Sequence, residues 1–133
     1  QTPPENVMFG TSPTNQETAD TIIPQLLKVK GKKFLSCEPM LGEIVMNPYW
    51  LIGSPEYEGN INHVIVGGES GHGRRPFNLD WARKLRDQCA EFKVPFFFKQ
   101  IDKVLDKTVG VPTDLLIRQF PPNDITEKYY SET

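Results

Sequence analysis

Four short runs constrain this chain more than any other feature: Asn6–Gly10, Lys33–Cys37, His63–Val66 and Pro95–Lys99. None alternates cleanly between apolar and polar residues. A strand with one wet face must alternate, whereas a continuous apolar run is buried on both faces. Such runs, spaced by helical patterns, define a parallel sheet covered by helices.

The gaps supply those helices. Thr14 and Glu17 have the spacing of a capping box. Ala19, Ile22, Ile23, Leu26 and Leu27 follow at helical spacing, with Pro24 expected to kink the pattern or mark its boundary. A second helix opens at Asn78 or Asp80 and buries Ala82, Leu85, Cys89 and Phe92, leaving Arg83, Lys84, Arg86 and Asp87 in water. The long connection from Met40 to Asn62 holds one apolar patch, Tyr49–Ile52, with the character of a helical turn. Residues 101–110 are ambiguous, and Val111–Phe120 suits a short helix or an edge strand.

The expected fold is therefore α/β, with four mostly parallel strands and helices. It forms half of a (β/α) barrel or, alternatively, an open doubly wound sheet. Residues 1–121 make one domain, and 122–133 form a tail expected to be disordered. Four parallel strands leave two open edges, so the chain is expected to self-associate or to dock against a missing half. It does not begin with methionine and reads as a piece of something longer.

Composition narrows the function. With a net charge of −2, the chain has no global field to hold nucleic acid non-specifically. No apolar run approaches membrane-spanning length. The start, Gln1-Thr2-Pro3-Pro4-Glu5, is unlike a signal peptide, and a cytoplasmic location is expected. Cys37 and Cys89 are the only cysteines and lie far apart, so neither a disulfide framework nor a structural zinc site is expected. His63 and His72 lack a second histidine at metal-ligand spacing, and no metal site is assigned.

Ligands bind at the carboxyl ends of strands in parallel α/β sheets. Here those ends read Gly10-Thr11-Ser12, Ser36-Cys37-Glu38-Pro39, Gly68-Glu69-Ser70 and Lys99-Gln100. Thr11, Glu38, Glu69 and Lys99 are expected to face one opening. Glu38, Glu69 and Lys99 are the candidate catalytic residues: two carboxylates for acid–base work or ligand holding, and an ammonium to neutralise an anion or serve as a base. A solvated Glu38–Lys99 ion pair of little consequence is the plainer alternative.

After the third run the chain stops at paired glycines and continues Gly67-Gly68-Glu69-Ser70-Gly71-His72-Gly73-Arg74-Arg75. This is neither a Walker loop nor a dinucleotide fingerprint. It falls one residue short of a nucleophile elbow, because His72 stands where the last glycine belongs. Backbone amides together with Arg74 and Arg75 suit a phosphate or nucleotide, which makes Gly67, Gly68, Ser70, Gly71, Arg74 and Arg75 the candidate cofactor-binding set.

Several blocks together carry a resemblance. They are Asn6–Ser12, Phe34–Pro39, Val64–Gly71, Arg75-Pro76, Asp87–Cys89 with Val94–Gln100, and Ile117–Pro121. In this order they resemble an uncharacterised family of bacteriophage and prophage proteins. Full-length members are about twice this long, and their amino-terminal half looks like the cluster-binding start of a radical S-adenosylmethionine enzyme. The resemblance implies that this chain is the carboxyl-terminal, substrate-facing half of such a barrel, with S-adenosylmethionine and an iron–sulfur cluster belonging to the full-length parent. A thiolate-held cluster needs three or four positioned cysteines, so no cofactor is assigned to this chain alone, and it is expected to be inactive without the cluster segment. The competing expectation is a non-catalytic nucleotide- or phosphate-binding module using loop 67–75.

Overall fold

The computed structural model describes residues 7–69, 77–101 and 111–121, and the backbone of 128–131. Five strands form one parallel sheet in the order β4-β3-β2-β1-β5. They are β1 (Val7–Thr11), β2 (Lys32–Cys37), β3 (His63–Val66), β4 (Phe96–Phe98) and β5 (Lys128–Ser131). Each of the first four lies beside its predecessor, and the sheet does not close on itself. From β1 to β4 the order does not reverse, so the crossovers between them run the same way and α-helices collect on one face. That run winds as a barrel segment does, while β5 returns to the far side of β1 and the sheet stays open.

The register shows which residues share a face. Leu35 and Cys37 pair with Val64 and Val66, which pair with Phe96 and Phe98. These six form one core with α1 (Gln16–Leu26), α2 (Pro48–Ile52) and α3 (Leu79–Glu91), through Ile23 and Leu26, Trp50 and Leu51, and Leu85 and Cys89. Each fully buried Leu or Ile contributes roughly 1.5–3 kcal/mol. The opposite face carries Phe34 with His63, Ser36 with Ile65, and Phe97. Met8 and Phe34 on that face are buried yet stand outside the helix-covered core. The apolar runs therefore do not reflect two helical layers. Helices cover one side, and residues 117–121 cover part of the other, with Phe120 packed against Phe97 and His63.

Local choices set the elements. Asn15, extended at the N-cap, accepts from Thr18 N at 2.9 Å, and the Thr18 hydroxyl accepts from Asn15 N at 3.1 Å. The capping box thus sits one residue later than Thr14 and Glu17. Asn is a better cap than Thr, and Thr18 takes the part expected of the glutamate. Pro24 lies within α1, which runs on to Leu26. It falls in the last turn, so any bend it imposes leaves the rest of the helix unaffected. Asn78 caps α3 through Asp80 N at 2.9 Å. The 40–62 connection is tied down by two side-chain amides. Gln16 bonds both N and O of Val45, and Gln88 bonds both N and O of Met46.

Neither edge of the four-strand block is open. Phe98 N donates to Ile117 O at 2.8 Å, and Gln119 N to Phe96 O at 2.9 Å, so residues 117–119 hold the β4 edge. A single bridge pairs Phe97 antiparallel with Arg118. Along β1, Val7 to Gly10 pair with β5, which falls inside the tail expected to lack structure. That expectation missed β5 because a four-residue strand in a polar tail carries no apolar run. A 3-10 turn, Thr113–Leu115, precedes the β4 strap. Asp114 anchors it to Arg83 and Arg86 of α3, at 2.9 and 2.7 Å.

Candidate functional site

Parallel strands bring their carboxyl ends to one edge of the sheet. Glu38 follows β2 and Lys99 follows β4, and β3 runs between them. The Lys99 ammonium reaches across to Glu38 Oε1 at 3.1 Å. Gln100 Nε2 donates to Glu38 Oε2 at 2.5 Å and lies 3.3 Å from Gly68 O. Both carboxylate oxygens are therefore engaged, one by a charge and one by a neutral amide. The Glu38 side chain is 23% exposed and that of Lys99 45%. This is a half-wet pair at a cleft mouth, not a sealed ion pair. Gln100 itself is 3% exposed, and its Oε1 finds no hydrogen-bond partner among the described residues.

The glycines make this junction possible. A Cβ on Gly67 would stand 2.7 Å from Glu38 Oε2 and 3.0 Å from Gln100 Nε2. One on Gly68 would stand 1.8 Å from Ile101 O. The chain's own atoms fill the space that a side chain would need. Lys99 N donates to Val66 O, Gly68 N to Gln100 O, and Met40 N to Gly67 O, which locks the three strand ends together.

A cleft of about 370 Å³ opens on the face that the helices leave bare. Ile65, Phe97 and Phe120 supply its apolar surface, and Ser36, Glu38, His63, Lys99 and Arg118 its polar groups. His63 Nε2 lies 2.8 Å from Gln119 O, and Phe97 and Phe120 meet edge-on with centroids 5.2 Å apart. The Arg118 guanidinium sits 5.0 Å over the Phe97 ring and donates to Lys99 O at 3.0 Å.

Of the residues expected to share one opening, Glu38 and Lys99 do. Thr11 does not: its register with Leu35 turns it to the helix-covered face, where it is 5% exposed. Glu69 is half-buried and is not part of the cleft lining. Gly67 and Gly68 are placed as above, whereas Ser70, Gly71, Arg74 and Arg75 lie outside the described residues. Arg118, Phe120 and Gln100 are the contributions that spacing could not assign. The only sequence trace of Arg118 and Phe120 is the apolar–polar mix of Ile117-Arg118-Gln119-Phe120, and Gln100 shows only as a polar residue two places after β4.

Cys37 and Cys89 are both free and buried beneath the sheet. Burial pushes the Cys89 thiol up to about 12 and the Cys37 thiol higher still, with Cys89 adding to the latter. Such thiols are poor metal ligands. Among the described residues no cluster of His, Cys, Asp and Glu fits a metal ion, and no helix is long and apolar enough to cross a membrane.

Fold and site together define an α/β domain with, among the described residues, one helical layer and a ligand-sized cleft on the opposite face that reaches the carboxyl ends of β2 and β4. Residues 1–119 match the family model described as Protein of unknown function (DUF5131), and the chain belongs to that family. No curated protein and no solved structure matches it.

Proposed function

We propose that this chain is the substrate-facing wall of a larger (β/α)-barrel enzyme of the radical S-adenosylmethionine type, with Glu38 and Lys99 as its acid–base pair. The observation that carries the reading is the asymmetry of the sheet. Its helices lie on one face, while the bare face holds a cleft into which the Glu38–Lys99 pair opens. A barrel puts its helices outside and its chemistry at the carboxyl ends of the strands. The described residues do not fit an iron–sulfur cluster, because two buried thiols cannot hold one. What this chain contributes is binding and proton handling. Lys99 Nζ, held by Glu38 Oε1, can pass a proton to a substrate atom at the cleft mouth; the lysine is left neutral, and the positive charge moves to the protonated substrate atom, still beside the Glu38 carboxylate.

Coexpression with a cysteine-bearing amino-terminal segment tests this. The complex is reconstituted anaerobically with iron and sulfide, and S-adenosylmethionine cleavage is followed. The proposal expects cleavage by the complex and none by this chain alone. It expects Glu38→Gln and Lys99→Met to abolish substrate turnover while cofactor cleavage persists. A complex that assembles a cluster but turns over substrate unchanged in both variants would overturn it.

A further inference from the structure

The charge and hydrogen-bond inventory of the cleft points to a class of ligand. This inference rests on the reading of the bare face as the substrate site. The charged groups at the cleft mouth differ in what they leave unspent. Glu38 has both oxygens engaged, by Lys99 and Gln100. Among the described residues Lys99 spends one of its three donors, on Glu38. Arg118 spends one of its five, on Lys99 O. Two cations against one satisfied carboxylate leave a net positive mouth with surplus donors, which favours an oxyanion over a cation.

Beside Ser36 and His63, the rest of the lining is apolar. Ile65, Phe97 and Phe120 form it, and Phe120 is 52% exposed although it is held in place. Its neighbour Gln119 is bonded at N, O and Oε1, to Phe96 O, His63 Nε2 and Phe96 N. A half-exposed aromatic ring next to a residue tied at three atoms, and packed edge-on against Phe97, is a preset stacking surface. At about 370 Å³ the cleft stands at the small end of ligand sites, which run roughly 300–1,000 Å³. It has room for one ring system with one substituent and not for a dinucleotide.

We propose that this cleft takes a ligand built from a flat unsaturated ring bearing a carboxylate or phosphate, the ring against Phe120 and the oxyanion between Lys99 and Arg118. Four probes that share one ring test it on the full chain: naphthoate, naphthyl phosphate, naphthalenemethanol and naphthylmethylamine. Affinity is read by calorimetry and location by NMR of Ile65 and Phe97. One or both anions should bind about tenfold or more tightly than the alcohol, the scale of a charge-assisted hydrogen bond, and the better anion separates carboxylate from phosphate. Lys99→Gln or Arg118→Gln should erase that advantage and leave the alcohol unchanged. Phe120→Ala should weaken every probe. Tighter binding of the amine or the alcohol at the same resonances overturns the oxyanion assignment and leaves the site standing. If no probe moves Ile65 or Phe97, both this inference and the site reading fall.

Discussion

Gly68→Ala should be far more damaging than Gly67→Ala, although the two glycines are neighbours in one loop. An added Cβ at Gly68 meets Ile101 O at 1.8 Å and the Phe77 ring at 2.8 Å. Ordinary contact begins at 3.4 Å, so a backbone carbonyl must retreat by about 1.6 Å. That retreat pulls on the Gly68 N–Gln100 O bond of 2.8 Å and on the Phe77–Phe98 stack at 5.9 Å. Overpacking costs roughly 1–3 kcal/mol, and one backbone hydrogen bond about 1 kcal/mol more. The sum of about 2–4 kcal/mol is a large share of the roughly 5–15 kcal/mol of a typical domain. At Gly67 the nearest atom is Glu38 Oε2, the end of a flexible and partly exposed side chain. Glu38 can swing outward, at the cost of its bond to Gln100, at most about 1.5–3 kcal/mol and partly regained from water. Urea unfolding followed by tryptophan fluorescence, with buried Trp50 as a reporter, compares the two. Gly68→Ala should unfold at a clearly lower midpoint than Gly67→Ala. Equal midpoints, or a wild-type midpoint for Gly68→Ala, would refute the close-approach argument.

Three further outcomes are expected. Arg83, then Arg86, hold the Asp114 carboxyl below its ordinary value. The stability this gives is present above the unfolded carboxyl value and is lost as pH falls through the folded one, so Asp114→Asn should flatten the acid limb of the urea midpoint against pH. Lys33 is fully buried, with Nζ bonded to the carbonyls of Gly31 and Glu58. Burial lowers its pKa, opposed by Glu58. The folded state therefore binds its proton more weakly than the unfolded state, and wild type should gain stability relative to Lys33→Met as pH rises toward about 10.4. Deleting 122–133 removes β5 and bares the β1 edge, which should raise the apparent mass in sedimentation; an unchanged mass would show that this edge does not recruit a partner.

The fold was legible where burial is local. The four central strands fall within a residue or two of their apolar runs, because a parallel strand must be apolar whatever lies beside it. The single helical layer was not legible. Ile65 and Phe97 look like core residues in sequence, yet they floor a cleft, bordered by a strap from 117–121 with no periodicity of its own. At the site, Glu38 and Lys99 were legible because parallel strands deliver their carboxyl ends to one edge. Thr11 followed the same rule and failed, because alternation within β1 turns it to the other face. Gln100 carries no sequence mark of its role. Its amide reaches Glu38 only because Gly67, between them, has no side chain.

The site stands on Glu38 and Lys99 meeting across β3 at the mouth of the bare face. Zero-length carbodiimide coupling read by mass spectrometry measures that contact directly. An amine 3.1 Å from a carboxylate should yield a Glu38–Lys99 crosslink in the native chain, absent in urea and in Glu38→Gln. Coupling of Lys99 to other carboxylates in its place, with no Glu38 product, would contradict the account.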